Sequence, residues 1–260
     1  MPTFRSIGET HESKAQRAED ARARRRSRAR HAWRYSPRRH ALEAMAEDVL
    51  ARPLGDVFGR WCLQLGACER DLTERAATLR HVRCAPWTYR DGQLVADDCM
   101  LPLASGSVDA VVLCFALEFS ARPHRLVREA NRVLNDRGIL VVVGQSPHGL
   151  AALPRLLGMS GRALPAGTGL VRPGRLRDWL DLLDFEVEAH HGFGNGWPWR
   201  GATRGPVGRA MADCYALVAR KRVLPLTPMR RPLRAPRAAP APGAVVSNFS
   251  RRNREDGEAA

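Results

Sequence analysis

Residues 97–144 read DDCMLPLASGSVDAVVLCFALEFSARPHRLVREANRVLNDRGILVVVG, and the alternation of apolar runs with punctuation inside them decides the fold. Past Asp109, the stretch Val108 to Phe115 is almost wholly apolar. A run of that length suits a central strand buried on both faces, as parallel strands usually are. A helix follows: Pro123 stands in its first turn, Leu126, Val127, Ala130, Val133 and Leu134 share one face, and Gly138 is placed to end it. Arg125 and Glu129 fall four apart on the other face. Ile139 to Gly144 then gives a second buried strand. Strand, helix, strand within 48 residues is the unit of a parallel sheet.

Working outward, the same alternation continues. Trp61 to Leu65 predicts a strand ending at Gly66, Arg70 to Leu79 a helix, His81 to Ala85 a second strand and Gln93 to Ala96 a third, closed by Asp97 and Asp98. Beyond Gly144, Arg175 to Leu183 predicts a helix, Glu186 to His191 an outer strand and Asp213 to Arg220 the last strand. The expected body is an α/β domain over residues 33–224, with helices on both faces of the sheet.

The formal charge of +15 sits in the ends of the chain. Residues 1–40 carry twelve basic and four acidic side chains, residues 221–260 nine and three, and the middle 21 and 20. A body of net charge +1 lacks the overall basicity of a fold built to grip phosphates, so nucleic acid is expected only through the basic tails. All but Lys14 and Lys221 of the 42 basic residues are arginine, a bias that a GC-rich coding sequence produces without selection for binding. Residues 1–32, with ARARRRSRAR at 21–30, offer little to bury and are expected to be disordered or only transiently helical, either as a nucleic-acid arm or as sequence upstream of the true start. Prolines 225, 228, 232, 236, 240 and 242 break structure in 225–260, expected as a flexible tail.

Cys62, Cys68, Cys84, Cys99, Cys114 and Cys214 form no C-x-x-C pair and stand mostly in apolar runs, which predicts reduced, buried thiols without a zinc site. No apolar stretch reaches the ~18 residues of a membrane span, and no apolar signal core follows the arginine-rich run, so a cytoplasmic protein is expected.

Taken together, Asp97-x-x-x-Leu101-Pro102-Leu103, Ser107-Val108-Asp109-Ala110-Val111-Val112, Leu117-Glu118, Arg128-Glu129-x-x-Arg132-Val133-Leu134 and Gly138-Ile139-Leu140 resemble the second half of class I, S-adenosylmethionine-dependent methyltransferases of the type 11 kind. Trp33, Leu63 to Gly66 and Leu226 to Pro228 are similar to features of a bacterial group of uncharacterised proteins of that fold. The resemblance covers roughly residues 33–230. It implies a Rossmann-like, mostly parallel sheet of seven strands, with Asp213 to Arg220 as the final strand, inserted antiparallel between the fifth and sixth.

It also implies a cofactor, S-adenosyl-L-methionine, held across the carboxyl ends of the strands. By position the contacts fall to Gln64, Gly66 and Ala67 in the first strand-to-helix turn, Asp97 at the adenine amino group, and Phe115, Ala116 and Glu118 after the fourth strand. The family's turn is an acidic residue, an apolar one and three alternate glycines. Here only Gly66 is glycine, Gln64 replaces the carboxylate, and side chains at Cys68 and Arg70 are expected to intrude where backbone meets the methionine moiety. Ala85-Pro86-Trp87 stands where an acidic residue binds the ribose hydroxyls, and Trp87 either stacks on adenine or caps the core. Methyl transfer from a sulfonium is an in-line displacement that relies mainly on positioning, so no catalytic residue is named. The acceptor is unknown. A non-catalytic binding or scaffolding module of the same fold is the alternative.

Two features read as decoys. Gly192-Phe193-Gly194-Asn195-Gly196 leads into Trp197-Pro198-Trp199 rather than a helix, so a flexible loop is expected instead of a phosphate site. His190 and His191 are adjacent on a strand and point to opposite faces, so no metal is expected there.

Overall fold

A computed structural model describes residues 5–85, 94–96, 100–149, 169–196, 199–203 and 205–222. In chain order these form α1 (Arg5–Arg34), α2 (Pro37–Gly55), β1 (Phe58–Gly66), β2 (Ala77–Ala85), β3 (Leu94–Val95), β4 (Val108–Cys114), α3 (Pro123–Val133), β5 (Leu134–Gln145), α4 (Pro173–Asp181), β6 (Phe185–Gly196), β7 (Trp199–Thr203), α5 (Gly205–Met211) and β8 (Cys214–Lys221).

The strands lie in the order β3-β2-β1-β4-β5-β8-β6-β7. The first five are parallel, and β8 enters antiparallel between β5 and β6, pairing Val142 with Leu217 and Ala189 with Val218. Seven strands thus stand in the expected order. An eighth, β7, extends the edge by pairing antiparallel with the glycine-rich end of β6, Gly194 opposite Gly201. The segment 192–196 is therefore strand rather than flexible loop. Its glycines let the chain cross other atoms closely, since a Cβ on Gly192 would stand 2.6 Å from the Thr203 hydroxyl.

Side chains alternate along each strand and so divide the core into two layers. Cys62, Val112, Val141 and Ala216 face the Trp33 end of α1 and Leu42, Ala46, Leu50 and Leu54 of α2. Leu63, Val111, Leu140 and Leu217 face Leu126, Val127 and Ala130 of α3 and Leu176 and Leu180 of α4. Helices cover both faces, as expected.

Three local expectations need correction. Residues 70–79 form no helix: Asp71 Oδ1 accepts the Thr73 N–H at 2.9 Å and the Thr73 hydroxyl at 2.5 Å, a local arrangement that competes with helical bonding, and β2 already starts at Ala77. Helix α3 stops at Val133, not near Gly138, because Leu134 turns extended (φ −68°, ψ 137°) and pairs with Val108. Residues 1–32 are not disordered where they are described, since α1 runs from Arg5 to Arg34 and buries Ala29 and Trp33. Alanine and arginine are strong helix formers, and no glycine or proline stands between Gly8 and Pro37 to stop them.

Candidate functional site

The carboxyl ends of β1 and β4 meet at Gly66. Its φ is +124°, and a Cβ there would collide with the Cys114 carbonyl oxygen and lie 2.9 Å from the Ala116 Cβ, so only glycine fits. The Ala67 N–H then donates to the Cys114 carbonyl at 3.1 Å. Across this turn Phe115 is fully buried at φ +47°, a conformation that costs free energy in a bulky residue and marks sites whose geometry is imposed by the surroundings.

Gln64 is buried, and both ends of its amide are committed to the turn. Its Nε2 donates to the Arg70 carbonyl at 2.7 Å, and its Oε1 accepts the Leu72 N–H at 2.8 Å. A carboxylate would satisfy only the second of these. From the other side, the buried Glu43 of α2 accepts the N–H groups of Glu69 and Arg70, each at 3.3 Å, and pairs with Arg39. Burial raises the Glu43 pKa, and Arg39 and the two N–H groups work against that rise. The loop 67–72 is therefore laced to α2 instead of being a bare glycine ribbon. Neither Cys68 nor Arg70 intrudes on the site: the Cys68 thiol donates to the Arg70 carbonyl at 3.4 Å, and the Arg70 guanidinium reaches out to Glu47 at 2.8 Å.

What remains at the strand ends is a cavity of about 20 Å³, lined by Leu65, Gly66, Ala67, Cys84, Ala96, Phe115, Ala116, Phe119 and Leu126, with Arg30 at one side. Helix α1 lies over it. Trp33 packs edge-on to Phe115 at 5.1 Å, its indole N–H reaches the Ala67 carbonyl at 3.3 Å, and Arg30 donates to the Phe119 carbonyl at 3.1 Å. Such a cavity holds about one water.

Of the expected site residues, the structure brings Gly66, Ala67, Phe115 and Ala116 to this cavity and sets Gln64 behind it. Glu118 is buried but is not among the cavity's lining residues. Its Oε1 accepts the Gln145 N–H at 2.6 Å, while among the described residues its Oε2, the Tyr215 hydroxyl and the Gln145 Nε2 have no partner. Burial pushes the Glu118 carboxyl up to about 7, against the opposing pull of the Gln145 N–H. Asp97, with Asp98, Cys99, Pro86 and Trp87, lies outside the described residues. The segment just after it is anchored, however: Glu129 accepts the Leu101 N–H at 2.8 Å, and Arg132 donates to the carbonyls of Leu101 and Leu103 at 3.1 and 2.9 Å. That is what the Arg128-Glu129-x-x-Arg132 spacing does. Arg30, Phe119 and Cys84 were missed from sequence, and the only available signal was the four-residue spacing of Ala29 and Trp33 within an otherwise charged run.

His190 and His191 do lie next to each other on β6. Burial lowers the pKa of both, His190 to about 4. No cluster of three metal-ligating side chains occurs among the described residues, and none of their helices is long and apolar enough to cross a membrane.

The strand order with an antiparallel β8 between β5 and β6 and the Gly66 turn at the carboxyl ends define a class I methyltransferase-type fold, and residues 66–142 match the family model described as a methyltransferase domain. Within that class the chain belongs to the family of the uncharacterised protein YafS of Escherichia coli (strain K12), being 33% identical to it over 194 residues that cover 73% of this chain and 80% of YafS. Solved structures show the same fold. A methyltransferase of Thermotoga maritima superposes with a TM-score of 0.53 at 16% identity, over 69% of this chain and 89% of its own. One from Archaeoglobus fulgidus gives 0.50 at 15% identity, over 69% and 94%.

Proposed function

We propose that the protein is an S-adenosylmethionine-dependent methyltransferase whose cofactor enters at the Gly66 turn. The observation that carries this reading is the pairing of a glycine that no other residue can replace with a strained, buried Phe115 across it, at the carboxyl ends of β1 and β4. In an open parallel sheet this is where backbone comes closest to a ligand. When bound, the cofactor supplies an electrophilic methyl group on a sulfonium.

The chain's own residues do the rest. Gly66 and Ala67 offer backbone to the ligand, Leu65, Cys84, Ala116 and Leu126 give an apolar wall that excludes water, and Arg30 places a cation where a ligand carboxylate can meet it. Gln64 holds the turn in shape from behind. Asp97 keeps the position proposed for the adenine amino group, and Glu118, set beside the cavity wall, acts on the site through the strand ends of β5 and β8. With only about 20 Å³ free beneath α1, binding requires the cavity to widen.

The small cavity favours a second reading, a non-catalytic module of the same fold. Thermal unfolding with and without S-adenosylmethionine separates the two, because a ligand that binds only the folded state raises the melting temperature. Methyltransferase function predicts a rise that ATP, an adenine nucleotide without the methionine part, does not reproduce. No rise at millimolar S-adenosylmethionine overturns it in favour of the module.

A further inference from the structure

Beside the candidate cofactor cavity lies a much larger, open groove of about 540 Å³ between α1 and the segment that leads into α3. Ala18, Glu19, Arg22 and Arg26 of α1 line one side, and Ala121 and Arg122 the other. Arg22 and Arg26 are one helical turn apart, and one turn further on is Arg30, which lines the cofactor cavity. At 1.5 Å per residue these three positions step along the helix at intervals of about 6 Å. Between residues 16 and 34 arginines outnumber acidic residues eight to two, Glu19 and Asp20 being the two, whereas residues 41–220 carry 21 basic and 20 acidic side chains. Positive charge is therefore concentrated on α1, and Arg22 and Arg26 bring part of it to the groove.

We infer that this groove is the track of a single-stranded nucleic acid, whose phosphodiester backbone runs along Arg22 and Arg26 and delivers a nucleotide to the cofactor cavity. Repeated anions match repeated arginines on one helix face, which a single small anion does not need. Among the described residues that line the groove none is aromatic, so these contacts fall on the strand's backbone rather than its bases. That the strand is a methyl acceptor rests on the methyltransferase reading. That it binds does not.

The test reads binding of a short fluorescent single-stranded RNA, and of DNA of the same sequence, to the full chain at low and at physiological salt. Arg22→Glu with Arg26→Glu is expected to weaken binding at least about tenfold and to lower the slope of log affinity against log salt by about 1.4, roughly 0.7 for each arginine–phosphate pair removed from a single strand. Arg24→Glu with Arg28→Glu makes the same charge change on the opposite face of α1 and is expected to weaken binding less than about threefold. If the reversed pair disturbs the circular dichroism spectrum, Arg22→Gln with Arg26→Gln replaces it, with the same ordering expected. Equal losses in the two pairs, an unchanged salt slope, or displacement of the oligonucleotide by polyglutamate as efficiently as by unlabelled RNA each overturn the proposal, the last in favour of an acidic polypeptide. A difference between the RNA and DNA arms names the strand. Should S-adenosylmethionine fail to raise the melting temperature while the Arg22 and Arg26 dependence holds, the methyltransferase reading falls and the nucleic-acid track stands.

Discussion

An amide and a carboxylate differ little in size at position 64 but greatly in what they can offer. Gln64 donates to one backbone group of the 67–72 loop and accepts from another, so replacing the family's acidic residue is a structural solution for a turn that has only one glycine. Gln64→Glu is expected to leave the Arg70 carbonyl without its donor and to bury a charge, costing about 1–3 kcal/mol in urea unfolding. A Gln64→Glu chain of unchanged midpoint would show that the bonds from Glu43, Arg39 and Arg83 suffice to hold the loop. Glu118 gives a pH prediction. Its folded pKa of about 7 lies above the ordinary 4.5, so the native state holds a proton that the unfolded chain has released between those values, and stability falls as pH rises through that window. At roughly 1.4 kcal/mol per pH unit the full loss is about 3 kcal/mol. Glu118→Gln keeps an acceptor for the Gln145 N–H and removes the titration. Melting temperatures at pH 5 and pH 8 should converge in the variant relative to the native chain, and parallel pH profiles would refute the assignment.

Helix α1 shows how an element can be poor in apolar residues and still be fixed. Its propensity makes a helix available, but a solvated helix is marginal until something docks it. Ala29 and Trp33 supply that docking, with the indole packed on Phe115 and hydrogen-bonded to Ala67. Trp33→Ala is therefore expected to cost about 3–5 kcal/mol and to expose the Gly66 turn. Chemical denaturation measures the first effect, and faster amide exchange at Ala67 and Phe115 the second. A small loss confined to the helix would mean that α1 is held through Arg30 instead. The same helix carries the basic face of the groove, so one element serves as cover for the cavity and as rail toward it.

Across the whole molecule, what sequence made legible follows the range of the interactions involved. Apolar runs such as Val108–Cys114 and Ile139–Gly144 announce buried strands because their burial pattern is local, and the expected strand order, with the last strand inserted antiparallel, is the one observed. The helix expected at 70–79 failed because an Asp71–Thr73 arrangement and lacing by Glu43, 26 residues upstream, compete with helix formation there. The eighth strand and the cover of α1 were hidden for a related reason: glycines at 192–196 and arginines at 22–30 read as unstructured until a partner surface is supplied. Of the residues lining the cavity, Gly66, Ala67, Phe115 and Ala116 could be placed at strand ends from sequence, while Arg30, Phe119 and Cys84 could not, since the elements that bear them meet only in three dimensions. Sequence by itself thus determined the strand set, the parallel core and the place of the glycine turn, all products of local patterning. Only the tertiary structure decided that α1 roofs the cavity, that Cys68 and Arg70 are bonded away from it and that Arg22 and Arg26 face Ala121 and Arg122 across a groove, because each of these depends on which surfaces the chain buries against one another.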